Sequence, residues 1–217
     1  MKCKAIPYFA VLLIFSFFTG KQGNAQHESY FQQEVNYKIQ VKLDDQEHFL
    51  HGDIKIEYTN NSPDNLDFIY FHLWPNAYKN NKTALARQKA MTSNNPPDFT
   101  DDKNQGYIDS LNFKANGQSL TFEYHKDHID ICKVLLRDPL KSGETITITT
   151  PFRVKIPKGT ISRFGHIGQA YKMAQWYPKP AVYDHKGWHE MPYLDMGEFY
   201  SEFGSFDVSI TVPENYV

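Results

Sequence analysis

Two pairs of histidines are spaced closely enough to raise the question of a metal site. The chain has nine His, and the close pairs are His125 with His128 and His185 with His189. Two His four residues apart bind zinc when both lie on one face of a helix. Gly187 interrupts the second pair and prolines flank it, so this stretch is predicted to be a loop. The spacing therefore does not predict a bound metal, and exposed loop histidines are the simpler interpretation.

Three carboxylates, Asp195, Glu198 and Glu202, follow in a segment rich in glycine and aromatic residues. Two carboxylates on either side of a sugar can carry out glycoside hydrolysis. Spacing along the chain does not give their separation across a cleft, so solvated loop charges are the simpler interpretation. The sequence contains neither the Gly-x-Ser-x-Gly turn of a serine nucleophile nor the Gly-Lys-Ser/Thr of a phosphate loop.

Gln175 is the residue of the aromatic-rich segment 163–204 whose side chain best suits ligand recognition. It directly precedes the pair Trp176-Tyr177. A buried amide must find hydrogen-bond partners, because an unpaired one costs on the order of 1–3 kcal/mol. The amide oxygen can accept a hydrogen bond from an ammonium group without adding charge, which suits a peptide N-terminus. The alternative is that the amide holds the backbone of its own loop in place.

The first 25 residues have the three-part pattern of a secretory signal peptide. Lys2 and Lys4 precede the apolar run 6–18, and small residues lead to a predicted cleavage site after Ala25. The apolar run is shorter than the ~20 residues that a membrane span needs. We therefore expect a cleaved signal and an exported product, periplasmic or extracellular, without a membrane span. An uncleaved anchor is the alternative.

The composition of the remaining chain limits its partners. Residues 1–25 contain three lysines and no acidic residue, so their removal takes the net charge from −2 to −5. A mildly acidic exported chain is a poor candidate for binding nucleic acid. Cys3 is lost with the signal, so Cys132 has no partner for an internal disulfide, and within its apolar surroundings we expect it to be a small buried hydrophobe. Residues 26–217 are enough for one sizeable core.

Alternation of apolar and polar residues predicts β-structure along most of the chain. The predicted strands are Val35–Leu43, Ile54–Tyr58, Leu66–Leu73, Tyr107–Phe113, Ser119–Tyr124, Ile131–Leu136, Ile146–Ile156 and Phe206–Val212. The third is apolar on both faces, which favours a central position in a sheet. Short turns join most of these strands, so we predict an all-β, antiparallel, sandwich-like domain.

Three local features refine this prediction. Asn116-Gly117 supplies the positive φ angles that a type I′ hairpin needs. Pro151 has no N–H to donate, so its strand is predicted to lie at a sheet edge or to bend there. Residues 74–106 form one long polar insert, in which a short helix is predicted from a Thr83 cap to Met91. We interpret the insert as a surface excursion over a sheet edge, although long inserts are often functional.

Four separated stretches resemble one known family. They are Phe71-His72-Leu73-Trp74-Pro75-Asn76-Ala77-Tyr78, Gly106-Tyr107-Ile108-Asp109-Ser110-Leu111, Gln175-Trp176-Tyr177-Pro178-Lys179-Pro180 and Gly204-Ser205-Phe206-Asp207-Val208. Together they resemble the N-terminal domain of exported bacterial zinc aminopeptidases of the aminopeptidase N (gluzincin) family. The resemblance runs from about Tyr37 to the end of the chain. None of the four stretches is catalytic in that family.

The resemblance implies a saddle-shaped β domain that precedes a thermolysin-like catalytic domain. In the family this β domain contributes a Gln or Glu that helps bind the free amino group of the peptide substrate, and Gln175 is the residue at the matching position. The family follows that residue with an acidic and a basic residue, whereas Trp176-Tyr177-Pro178-Lys179 follows here.

The family's catalytic motifs are missing from the sequence, including Gly-x-Met-Glu-Asn and the His-Glu-x-x-His that binds zinc. The resemblance therefore implies that zinc belongs to a catalytic domain outside this chain, that this chain binds no cofactor, and that it does not hydrolyse peptides alone. The domain organisation predicted is a signal peptide at 1–25 and an N-terminal β domain at 26–217, truncated at its C-terminus.

Three functions remain open at the level of sequence. The first is the non-catalytic N-terminal part of a secreted zinc aminopeptidase, in which Gln175 helps form the pocket for the amino terminus of the peptide. The second is a stand-alone exported β module that binds peptide or glycan. The third is a self-contained hydrolase that uses Asp195, Glu198 or Glu202.

Overall fold

The computed structural model describes residues 30–216, so the predicted signal peptide and its cleavage site lie outside the described residues. Within this range no helix is both long and apolar enough to cross a membrane. The strands, in chain order, are β1 (Glu34–Asp44), β2 (Phe49–Thr59), β3 (Leu66–His72), β4 (Tyr107–Asp109), β5 (Lys114–Ala115), β6 (Gln118–Ser119), β7 (Phe122–Tyr124), β8 (Ile131–Leu140), β9 (Thr145–Lys155), β10 (Gly159–Ile161), β11 (Phe164–Ile167), β12 (Ala170–Met173), β13 (Lys179–Pro180), β14 (Val182–Asp184), β15 (Gly187–His189) and β16 (Phe206–Thr211). The helices are α1 (Ala84–Thr92) and two 3-10 helices, Trp74–Tyr78 and Asp102–Asn104.

Two larger sheets and two small ones make up the domain. The large sheet has the order β16-β1-β2-β9-β5-β6, with β4 also beside β9. The second sheet has the order β13-β3-β8-β7, and the small sheets are β10-β11-β12 and β14-β15. One continuous apolar core contains residues from both larger sheets. The predicted all-β, sandwich-like fold class is confirmed.

The alternation read from the sequence is the alternation of burial. In β1, Val35, Tyr37, Ile39 and Val41 are buried, while the polar residues that alternate with them are exposed or half-buried. Burying one such aliphatic side chain contributes about 1.5–3 kcal/mol, so the alternating strands supply much of the drive to fold. The central position predicted for Leu66–Leu73 is also confirmed, because β3 pairs with β13 on one side and β8 on the other.

The strand that contains Pro151 is not at a sheet edge, so that part of its prediction is wrong. β9 lies between β2 on one side and β4 and β5 on the other. On the second side, β5 pairs up to Thr149 and β4 begins to pair at Arg153. Pro151 therefore falls in the gap between two short neighbours, where no partner strand requires an N–H.

The hairpin predicted at Asn116-Gly117 is confirmed. Both residues have positive φ, 50° and 76°, and the turn joins β5 to β6. The strand predicted from Ser119 to Tyr124 is instead two strands. Thr121 lies at the break, after which β7 leaves the large sheet and pairs with β8 in the second sheet. The chain thus crosses between the two layers within a segment whose alternation continues.

The insert at 74–106 is partly core and not only a surface excursion. Its helix is confirmed: α1 begins after Thr83, whose Oγ1 accepts a hydrogen bond from Ala86 N at 3.2 Å. All five residues of the first 3-10 helix are buried, however, and Phe99 is buried as well. The aromatic and apolar residues at its start fill the core, while its polar stretches remain outside.

The last strand pairs in parallel with the first. Tyr37 lies opposite Phe206, and their rings stack with centroids 4.5 Å apart. Val208 and Ile210 lie opposite buried residues of β1, so they extend the apolar face of the large sheet. These two side chains remain 41% and 59% exposed, so this end of the apolar face is not covered by the described part of the chain.

Candidate functional site

Gln175 lies where the chain passes from the small sheet β10-β11-β12 to the second sheet. The residue before it, Ala174, donates its N–H to the carbonyl of Arg163, which closes the hairpin of the small sheet. Gln175 itself has a φ of 58°, a left-handed conformation that is uncommon for a residue with a side chain. Four residues later the chain joins β3, where Lys179 lies opposite His72. Both flanks of Gln175 are therefore fixed by sheet pairing.

The side chain of Gln175 accepts a hydrogen bond from a buried ammonium group. Lys179 Nζ donates to Gln175 Oε1 at 2.8 Å and to Ser201 Oγ at 2.7 Å. The same Nζ lies 4.0 Å from the centroid of the Trp74 ring, within the range of a cation–π contact. Lys179 is only 4% exposed and has no carboxylate partner in the described part of the chain.

A lysine buried among neutral acceptors is electrostatically expensive. Fully buried lysines are rare unless they are paired with an acid. Here the two oxygens and the indole ring hold the ammonium but do not neutralise it. Burial therefore lowers the pKa of Lys179 from 10.5 to about 7. Near neutral pH this lysine exchanges between a charged and an uncharged form.

His72 shares the interior of this site with Lys179. Its ring stacks on Trp74 with centroids 4.4 Å apart, and its Nε2 accepts a hydrogen bond from Met191 N at 3.2 Å. Burial, with a smaller effect from the charge of Lys179, lowers the pKa of His72 to about 3. His72 is therefore neutral at any physiological pH and positions the neighbouring groups without sharing in proton transfer.

Glu202 is the second unusual acid or base in this region. It is partly buried, and its Oε1 accepts a hydrogen bond from Tyr183 N at 3.3 Å. Burial, followed by the charge of Asp184, raises the pKa of Glu202 to about 7. Asp184 in turn accepts a hydrogen bond from His189 Nε2 at 2.8 Å. The segment that holds Ser201 against Lys179 thus also holds a carboxyl group that titrates near neutrality.

The three carboxylates considered for glycoside hydrolysis contact different parts of the structure. Asp195 forms an ion pair with Lys89 of α1 at 3.0 Å. Glu198 is exposed, whereas Glu202 is bonded to the backbone at Tyr183. The contacts of these groups give no support to a shared acid–base role.

The histidine pairs do not assemble a metal site. Within residues 30–216, no group of three or more His, Cys, Asp or Glu side chains is placed to hold a metal ion. The rings of His125 and His128 stack on one another, His185 is exposed, and His189 is bonded to Asp184. The zinc that the sequence resemblance implies is expected in a catalytic domain outside this chain, and the described residues do not fit it.

Cys132 is buried and free, as expected for a small hydrophobe. It lies in β8 opposite Phe71, inside the second sheet. Burial raises the pKa of its thiol far above the ordinary value, so the reactive thiolate is suppressed.

Sequence reasoning selected Gln175 as a candidate but did not predict that Lys179, His72 and Trp74 lie near it. All three belong to the stretches that carry the family resemblance, yet a lysine between two prolines is more often a solvated loop residue. The one indication in the sequence was the density of aromatic residues around it. These residues are brought close to Gln175 by the pairing of β13 with β3.

No protein-family model and no curated protein matches the chain. Solved structures of larger proteins are similar to it. A point mutant of the M1 zinc metallopeptidase from Deinococcus radiodurans matches at 15% identity with a TM-score of 0.48, over 84% of this chain and 33% of that one. The unsubstituted enzyme from the same organism matches at 15% identity with a TM-score of 0.36, over 58% and 21%. An aminopeptidase N family protein from Idiomarina loihiensis matches at 13% identity with a TM-score of 0.28, over 59% and 16%.

This chain therefore spans a third or less of the length of those structures. The activity of the larger proteins as a whole is not thereby assigned to it.

Proposed function

We propose that this chain is the non-catalytic N-terminal β domain of an exported zinc aminopeptidase, and that Gln175 helps bind the free amino group of the peptide substrate. The sequence resemblance places Gln175 at the matching position of that family. Zinc and the groups that hydrolyse the peptide bond would belong to a separate catalytic domain. The chain alone is expected to be inactive, since the sequence lacks His-Glu-x-x-His.

One observation carries the proposal: Gln175 Oε1 is oriented to accept a hydrogen bond from an ammonium group. Lys179 already makes such a bond at 2.8 Å. A carbonyl oxygen of an amide has two lone pairs, so one acceptor position remains for a ligand. The neighbouring Lys179 has a pKa of about 7, so it can lose its proton when a second ammonium approaches.

The local backbone also suits a contact residue. Gln175 adopts a left-handed φ and both of its flanks are fixed by strand pairing, so its side chain is held with little freedom. Backbone strain of this kind is often found where a side chain must be presented to a ligand. The rings of Trp176 and Tyr177 follow immediately and pack on Phe152 and Tyr37 of the large sheet, which fixes the chain after Gln175.

The test compares two peptides that differ only at the amino terminus, a tripeptide with a free amine and its N-acetylated form. Binding to the mature chain is followed by NMR through the side-chain amide signals of Gln. We expect the free amine to shift the Gln175 signal and the acetylated peptide to leave it unchanged. Gln175→Ala should abolish specific binding, while Gln169→Ala, on the same hairpin, should not.

Equal binding of both peptides would contradict the proposal and favour the stand-alone peptide-binding module. Failure of both peptides to bind would contradict any role for this chain in holding the substrate amine.

A further inference from the structure

A cavity lies at the end of the large sheet where β1 turns into β2. It has a volume of about 560 Å³ and forms where the turn after β1, the end of β9 and the β11–β12 hairpin meet. The residues of interest in its lining are His48, His166, Lys103, Lys155, Lys158 and Gly168. Such a volume is within the range of small-molecule sites.

Two stacked imidazoles form one wall of this cavity. The rings of His48 and His166 lie 3.5 Å apart with an angle of 20° between their planes. His48 Nδ1 is bonded to the hydroxyl of Tyr171 at 2.7 Å, and His166 Nδ1 donates to the carbonyl of Gly168 at 2.9 Å. The Nε2 atom of each ring has no partner among the described residues and is not sealed from solvent. These two atoms are therefore the ones left for a ligand.

The cavity has an excess of positive charge. None of Lys103, Lys155 and Lys158 forms an ion pair within residues 30–216. Lys155 Nζ is bonded only to a neutral group, the carbonyl of Asp102, at 2.7 Å. Glu47 and Asp102 also line the cavity, so three lysines face two carboxylates before either imidazole is protonated.

The carboxylate of the neighbouring residue Asp45 already accepts hydrogen bonds from neutral groups. Its Oδ2 accepts hydrogen bonds from Gln169 Nε2 at 2.8 Å and from the hydroxyl of Tyr216 at 3.2 Å. These contacts join the turn after β1 to the hairpin and hold the two imidazoles in place. Burial, and then the charge of His166, lower the pKa of His48, while Asp45, Asp44 and Glu47 oppose this change. A negative group bound beside His48 would oppose the effect of burial on the pKa of this ring.

We propose that this cavity binds the oxyanion group of a small ligand, a phosphate or a carboxylate, through Nε2 of His48 and His166 and the ammonium groups of the surrounding lysines. His166 Nε2 donates only when the ring is protonated, since Nδ1–H is committed to Gly168. A bound oxyanion would accept this hydrogen bond together with those of the lysine ammonium groups. Hydrogen bonds between charged groups are the strong ones in proteins.

The experiment titrates the mature chain with inorganic phosphate at pH 6 and constant ionic strength, and follows backbone amides by NMR. We expect shifts concentrated at residues 45–48, 155–158 and 166–169. Lys158→Gln should weaken phosphate binding by roughly fivefold or more, the size of one charge-assisted contact. Lys172→Gln removes an exposed lysine of β12 that lies outside the cavity, and it should change the affinity for phosphate by less than about twofold.

A parallel titration with citrate distinguishes a phosphate site from a carboxylate site. The probe that binds more tightly has the oxyanion group that the cavity prefers. Equal weakening by Lys158→Gln and Lys172→Gln would show general charge attraction and overturn the site. Shifts spread over the surface would also overturn it. His166→Gln serves as a second variant: it removes one of the two Nε2 atoms and should also weaken phosphate binding, and an unchanged affinity would overturn the role of the imidazoles.

Discussion

Replacing Lys179 by Met tests the electrostatic description of the Gln175 site. Burial lowers the pKa of Lys179 from 10.5 to about 7 in the folded protein, whereas unfolding restores the ordinary value. The unfolded chain therefore binds this proton more tightly between pH 7 and 10.5. The free energy of unfolding must then rise with pH across this window. Met has similar length and no charge, so this contribution disappears in the variant.

The magnitude follows from the two pKa values. One pKa unit corresponds to about 1.4 kcal/mol, and the titration of a single group with these values adds roughly 3 kcal/mol between pH 6 and pH 9. No discount for solvent is needed because Lys179 is only 4% exposed. His72, with a pKa of about 3, stays neutral throughout and adds nothing. Glu202 and the buried tyrosines titrate alike in both proteins and cancel in the difference.

The assay is urea denaturation followed by tryptophan fluorescence at pH 6, 7, 8 and 9. We expect the free energy of unfolding of the wild type, minus that of Lys179→Met, to increase by roughly 3 kcal/mol over the series. Lys172→Met, at an exposed position of β12, is the matched control and should give a flat difference. Parallel curves for the wild type and Lys179→Met would refute the argument that this lysine is buried without a counter-ion.

Four further outcomes are expected. Burial raises the pKa of Glu202 above its unfolded value, so the wild type should lose stability as the pH rises from 4.5 to about 7. Glu202→Gln should not show this loss, and denaturation at pH 5 and pH 8 checks it. Phe71→Ala should lower the free energy of unfolding by about 3–5 kcal/mol, since its ring is fully buried, and a loss below 1 kcal/mol by urea denaturation would contradict the core described. Thr83→Ala should cost about 1 kcal/mol through the cap of α1, whereas Thr83→Ser should cost less in the same assay. The double variant Val208→Thr with Ile210→Thr should reduce self-association in light scattering, because both side chains are exposed on a strand at the sheet edge; unchanged association would exclude this face as its cause.

We expect the isolated chain to be only marginally stable or prone to aggregation. The exposed apolar face of β16 is its structural basis, since an uncovered edge strand favours association with other chains. A sharp thermal transition of the monomer above about 60 °C would contradict it.

The errors in the sequence-based fold share one cause. For Pro151, local rules predict an edge position or a bend, because they count a missing donor but do not show which neighbour lies beside it. At Ser119–Tyr124 the alternation predicts one continuous strand, because it does not change where the chain moves between sheets. In both cases the deciding contact joins residues far apart in sequence.

The sequence by itself determined the elements whose physics is local. Alternation fixed which face of β1 is buried, Asn116-Gly117 fixed a turn through its positive φ angles, and Thr83 fixed the start of a helix through a cap only three residues long. Only the tertiary structure decided that Lys179 loses its solvent, because that depends on Trp74 and Ser201, which are brought to it by strand pairing. The cost of a buried charge is set by what surrounds it, and those surroundings exist only after the sheets have packed.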